Sequence, residues 1–170
     1  MNRTIESVLR FVSLTSSGLL AGSLGFGEAA LVPGWHHELP RDKADPIDTL
    51  KRTYYFNAIG PVALGSAVTL AIASRGSNPM RRILDAATAV GLAGVLAATV
   101  MVTVPINKEL ENEGPRDYPS DRVNLVKNWS RAHAVRTTLG IGAFVCAVAS
   151  NISGNSHHRN HRDHRDHRAK

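Results

Sequence analysis

A single cysteine, Cys146, stands among 170 residues. No disulfide can form within the chain, and nothing in it points to an oxidising compartment. Cys146 lies in an apolar run, where a lone thiol serves as a small packing residue. The motifs of soluble enzymes are also missing: there is no GxGxxG after a strand pattern, no P-loop, no HExxH, no GxSxG and no CxxCH for haem. GSLGFG supplies glycines, but inside an apolar helical pattern, so it does not read as a phosphate loop. Polarity is absent where a soluble bundle would need it. AVGLAGVLAATVMVTVPI carries no polar stripe, and the run from Tyr54 to Ala73 carries no charge. A helix at a protein–water boundary needs a polar face.

What is present is apolar sequence in blocks. The hydrophobic content of 43% is ordinary, and the mean hydropathy of −0.12 hides the pattern because charge is gathered between the blocks and at the end of the chain. Four blocks run roughly Val8–Val32, Tyr54–Ala73, Ile83–Ile106 and Ala134–Ile152. Each is close to the ~20 residues that cross a bilayer as a helix. The first is too long for the core of a signal peptide, and no clear small-residue cleavage site ends it. The fold class expected is therefore all-α: an integral membrane four-helix bundle over residues 1–152, followed by a disordered, solvated His/Arg-rich tail over 153–170. The histidines of that tail, in HHRNHRDHRDHRAK, could also capture a metal. Gly18 and Gly22, Gly91 and Gly94, and Gly140 and Gly142 are candidate points of close helix approach, although glycine is common in membrane helices in any case.

The formal net charge of +6 is localised. Arg75, Arg81 and Arg82 lie in the short connection between blocks two and three, and the tail carries most of the rest. This distribution marks helix ends and does not suggest a nucleic-acid surface. Four crossings put both termini on the side of the short connection, and the positive-inside rule makes that side cytoplasmic.

On this topology the polar residues of the blocks gather at the other end. Glu28 closes helix one, Asn57 opens helix two, Pro105 and Asn107 end helix three, and His133 and Arg136 begin helix four. At 1.5 Å per residue, each lies within one or two turns of that surface. Trp129, His133 and Arg136 are spaced i, i+4, i+7, which puts them on one helix face. A carboxylate and a guanidinium are costly at this depth unless paired or turned inward, so Glu28 and Arg136 are expected to satisfy each other, with Asn57, Asn107 and His133 in the same space. Two long connections, about Pro33–Thr53 and Lys108–Arg131, would roof this pocket as lids. Plainer roles exist for each residue: an interfacial belt for Trp129, a structural histidine at 133, snorkelling for Arg136 and a helix cap for Asn107. His36 and His37 suit a surface loop, or, with His133, a weakly indicated metal site.

Two pieces together resemble a known family. PINKEL, with Pro105, Asn107 and Leu110, resembles the P-x-N-x-x-L motif that ends the third helix of the anthrone oxygenase-like (DUF1772) membrane proteins. NWSRAHAVRTTLG resembles their W-x-x-x-H-x-x-R motif, here Trp129, His133 and Arg136. ALVPGWHHELP and RTYYFNAIGPVALGSA look like the exit of the family's first helix and its second helix. The resemblance covers about Val8–Ile152 and rests on the order and spacing of short motifs. It implies a small membrane oxygenase, a monooxygenase of secondary metabolism, that uses dioxygen to oxidise a flat lipophilic phenolic compound, an anthrone-like polyketide, to a quinone. Asn107, Trp129, His133 and Arg136 are the positions it carries over; Glu28 and the tail are outside its pattern.

On these residues His133 would be the general base, Arg136 and Asn107 would stabilise the oxyanion, and Trp129 would stack on the substrate, with Glu28 and Asn57 also contacting it. This scheme requires no organic cofactor, and the metal requirement is left open. The expected partners are the lipid bilayer, the aromatic substrate and dioxygen, without nucleic acid; self-association into a homo-oligomer is left open. The rival reading is a non-catalytic membrane protein that binds a lipid or a partner helix. A transporter is disfavoured because four helices are few, no internal repeat is visible and the second block offers no polar path.

Overall fold

A computed structural model describes residues 2–31, 46–74, 78–112 and 119–166 of the chain. Its elements are α1 (Arg3–Phe26), a π-turn at Gly27–Leu31, α2 (Pro46–Ala73), α3 (Pro79–Ala98), a second π-turn at Thr99–Thr103, α4 (Val104–Asn112) and α5 (Pro119–Asp166). Among the described residues there is no strand. Four stretches are long and apolar enough to span a bilayer: Thr4–Ala29, Tyr55–Ala73, Pro79–Glu109 and Lys127–Ser153. Between 17% and 39% of each apolar window is buried inside the chain, so most apolar side chains face outward. Phe11, Phe26, Val90, Met101 and Ile152 are exposed, while Ser13, Ser17, Thr88 and Ser150 are buried. That inverted distribution suits lipid and not water as the surrounding solvent. The chain is an all-α, multi-pass membrane protein.

Local sequence sets the helix starts. Asn2 caps α1, its side chain accepting from the Thr4 N–H at 3.1 Å. Asn78 caps α3 by accepting from Met80 N–H at 3.0 Å, with Pro79 in the first turn, where a missing N–H costs nothing. The helices outrun the apolar blocks. α2 begins at Pro46 and α5 at Pro119, because an α-helix need not end where the lipid does and proline is tolerated in a helix's first turn. The Lys108–Arg131 connection is therefore largely helical where described, with 113–118 outside the described residues, as is most of the other long connection, Pro33–Thr53. α5 is continuous to Asp166.

The second π-turn has a local cause. Pro105 has no N–H for the Met101 carbonyl, and its ring would crowd that carbonyl in a tight α-turn. Widening Thr99–Thr103 relieves both.

The spans pack as a ring: first on second, second on third, third on fourth and fourth on first. Their shared centre is Leu20, Leu24, Ala63, Ala67, Leu92, Val95 and Ala143. The third and fourth spans approach closely at Gly91, where a Cβ would meet the Ala143 Cβ at 3.0 Å and the Leu139 carbonyl at 3.3 Å. Of the GxxxG pair, Gly18 lies against Phe144, whereas Gly22 meets nothing.

Below the apolar centre, a buried charge network ties three spans together. Arg10 donates from Nη1 and Nη2 to the two Asp85 carboxylate oxygens at 3.4 and 3.2 Å, and from Nη1 to Ser150 Oγ at 3.2 Å. Ser150 in turn donates to Asp85. Glu6 bridges Arg10 Nε, at 3.1 Å, to Arg81. Two cations meet two carboxylates, so the cluster is neutral. It fixes the bundle at the end opposite His133. A small cavity lined by Arg10, Ser13, Asp85, Thr88 and Asn151 has room for one water.

Candidate functional site

At the other end, α5 presents the face that the i, i+4, i+7 spacing predicts. Trp129, His133 and Arg136 are 8%, 6% and 6% exposed, while Arg131, Val135 and Thr138 face outward. The Trp129 indole lies flat on the His133 imidazole, with centroids 4.9 Å apart and planes 5° from parallel. Indole N–H is a donor only, so its 3.0 Å bond to Asn107 must end on the amide oxygen, Oδ1. That leaves the NH₂ of Asn107, an exposed residue, as the group it can offer a ligand. Trp129 therefore holds the imidazole and Asn107 at once, with one indole face on His133.

The two π-turns supply the rest. Glu28 and Gly27 belong to the first, Thr103 to the second. Arg136 Nη1 donates to Thr103 Oγ1 at 2.8 Å. Glu28 Oε2 faces His133 Nε2 at 3.9 Å. The expected Glu28–Arg136 pair does not form: the two groups share a depth, but the widened turn directs the carboxylate to the imidazole while Thr103 takes the guanidinium. Gly27 makes the approach possible, because a Cβ there would lie 2.9 Å from His133 Nε2. Thr137 Oγ1 donates to the Leu24 carbonyl at 3.4 Å, tying α5 to α1 just below.

Several buried polar atoms of this site have no hydrogen-bond partner: Glu28 Oε2, both ring nitrogens of His133, Arg136 Nε and Ser130 Oγ. The Leu24 carbonyl is near the imidazole but outside hydrogen-bonding geometry. Leaving such atoms unpaired costs about 1–3 kcal/mol each, and native proteins concentrate that cost where a ligand or reaction uses it. Around the His133 imidazole stand a carboxylate from the first span, Glu28, and a guanidinium one turn further along α5, Arg136: an acceptor and a fixed positive charge beside a group that can take or give a proton.

Asn57 is not brought into this cluster. It is exposed on the second span; sharing a depth with Glu28 did not give it the same azimuth. His36 and His37 lie outside the described residues. Among the described residues no group of three or more His, Cys, Asp and Glu is placed to hold a metal ion; Glu28 and His133 would be two ligands at most. Sequence reasoning missed Thr103 and Gly27. The signal for Thr103 was its i, i+4 spacing to Asn107 on one helix face.

No curated protein and no solved structure matches the chain. The family profile of anthrone oxygenase matches residues 51–146. This stretch holds Thr103, Asn107, Trp129, His133 and Arg136, while Gly27 and Glu28 fall before it. With four membrane spans and more than half its length under that profile, the chain belongs to the anthrone oxygenase family.

Proposed function

We propose that the protein is a membrane oxygenase that uses dioxygen to convert a flat, lipophilic phenolic compound of the anthrone kind to a quinone. The observation that carries this reading is His133: buried, clamped by Trp129, with both ring nitrogens unpaired and a carboxylate and a guanidinium on either side. Neither ring nitrogen has a hydrogen-bond partner from the protein, so both are open to a ligand.

The chemistry needs little else. The methylene between the two aryl rings is acidic because its anion is delocalised onto the opposite carbonyl oxygen. His133 takes one methylene proton. Arg136, held by Thr103, and the Asn107 NH₂ stabilise the charge that develops on oxygen. The electron-rich anion gives electrons to dioxygen and a C–O bond forms. Protonation gives a hydroperoxide. Loss of the second C–H proton, cleavage of O–O and departure of water leave the carbonyl. In sum the carbon gives four electrons to dioxygen, one of whose oxygens enters the quinone while the other leaves as water. The site lies at the bundle end, with the Glu28 side chain 37% exposed, so a lipid-dissolved substrate can approach beside the first span.

The test is oxygen uptake by membranes holding the protein, given a simple anthrone, against membranes with His133→Ala and His133→Gln at equal expression. Uptake above the uncatalysed rate, lowered by about 10²-fold or more in both variants, is the expected result. Equal uptake in all three removes His133 from the mechanism. No uptake above background by the native protein favours lipid or helix binding instead.

A further inference from the structure

We propose that Glu28 is the second proton-handling residue of this site, carrying the proton that His133 takes from carbon to the peroxide oxygen that leaves as water. The proposal rests on the oxygenase reading and adds a residue that lies before the stretch matched by the family profile.

The geometry has three parts. Glu28 Oε2 is buried without a hydrogen-bond partner and faces His133 Nε2, also unpartnered, at 3.9 Å. A small rotation or one water closes that gap. Gly27 keeps the space between them clear, since a side chain there would reach Nε2 first. Finally, Arg136 is engaged by Thr103 and not by Glu28, so the carboxylate is left facing the imidazole.

The reaction needs two such groups. In the last step a proton must leave carbon while another reaches the distal peroxide oxygen, as the O–O bond breaks and its electrons leave with that oxygen. One imidazole cannot do both at the same instant. The first proton from carbon is already on the hydroperoxide, so in the last step His133 accepts the second from carbon while Glu28, in its acid form, donates to the departing oxygen, and His133 then returns its proton to Glu28. Counted over the cycle, two protons leave carbon, two arrive on the oxygen that becomes water, and neither residue is changed.

The test compares dioxygen consumed with quinone formed, in membranes holding the native protein, Glu28→Gln and Glu28→Asp. The native protein should give one quinone per dioxygen. Glu28→Gln keeps the shape of the side chain but cannot give or take a proton. It should still consume dioxygen, through His133, while quinone formation falls by about 10²-fold and a hydroperoxide, the substrate plus two oxygen atoms, accumulates by mass. Glu28→Asp should restore most of the quinone. A merely structural role would lower both quantities together at a constant one-to-one ratio, which overturns the proposal, as does a native quinone rate in Glu28→Gln. If the native protein itself consumes no dioxygen above background, the oxygenase reading falls, and the proposal with it.

Discussion

Replacing Asp85 by Ala tests what holds the bundle together. The substitution leaves the Arg10 guanidinium buried with no partner for Nη2 and with only Ser150 for Nη1. Removing one member of a buried pair costs about 3–5 kcal/mol, much of it the penalty of the stranded charge. Here the cost should fall at the lower end, about 3 kcal/mol, because Arg10 keeps Glu6 on Nε and the neighbouring cavity can admit a water. That is a shift of about two orders of magnitude in the folding equilibrium. Ser150→Ala, by contrast, removes only hydrogen bonds, and interhelical polar contacts in membranes average about 0.6 kcal/mol. Removing both charges, as Arg10→Met with Asp85→Leu, should recover most of the loss, since no charge is stranded. The assay is reversible unfolding in mixed detergent micelles, followed by helix content. An Asp85→Ala variant within 1 kcal/mol of the native protein, or a double variant as unstable as the sum of its singles, would refute the reasoning.

Two further substitutions probe the site. Thr103→Val removes the acceptor that holds Arg136; interhelical polar contacts in membranes reach about 1.7 kcal/mol, so the variant should lose about 1 kcal/mol in unfolding and most of its oxygen uptake, while Thr103→Ser keeps both. Native behaviour in Thr103→Val would take Arg136 out of that contact. Asn57→Leu, on the outward face of the second span, should change stability by no more than about 0.5 kcal/mol and leave oxygen uptake intact; loss of uptake would return Asn57 to the site.

The spans were legible because lipid demands long apolar runs, and the Trp129–His133–Arg136 face because helical spacing fixes azimuth within one helix. Relations between helices were harder to read. Depth along the bundle placed Glu28, Asn57 and Arg136 together, yet depth leaves each helix free to rotate. Asn57 faces outward, and a π-turn swings Glu28 to His133 instead of Arg136. That turn leaves little trace in GFGEAAL. Arg10 and Asp85 lie at matching depths from the same end and could have been paired by the reasoning applied to Glu28. The positions of the chain ends of the helices were hidden for a different reason: apolarity reports the part in lipid, while the backbone ladder continues through NKELEN and DRVNLVKN.

The apolar centre of Leu20, Leu24, Leu92, Val95 and Ala143 has an electrical consequence. It separates the His133 site from the neutral Arg10–Asp85 network, and the buried hydroxyls of Ser16, Ser17, Ser66 and Thr88 are committed to backbone carbonyls. Carrying one elementary charge across a membrane couples to its potential by about 2.3 kcal/mol per 100 mV. Protons that leave and rejoin substrate on one side of this plug cross none of that field. Turnover at the site would then proceed at the same rate in energised and in depolarised membranes.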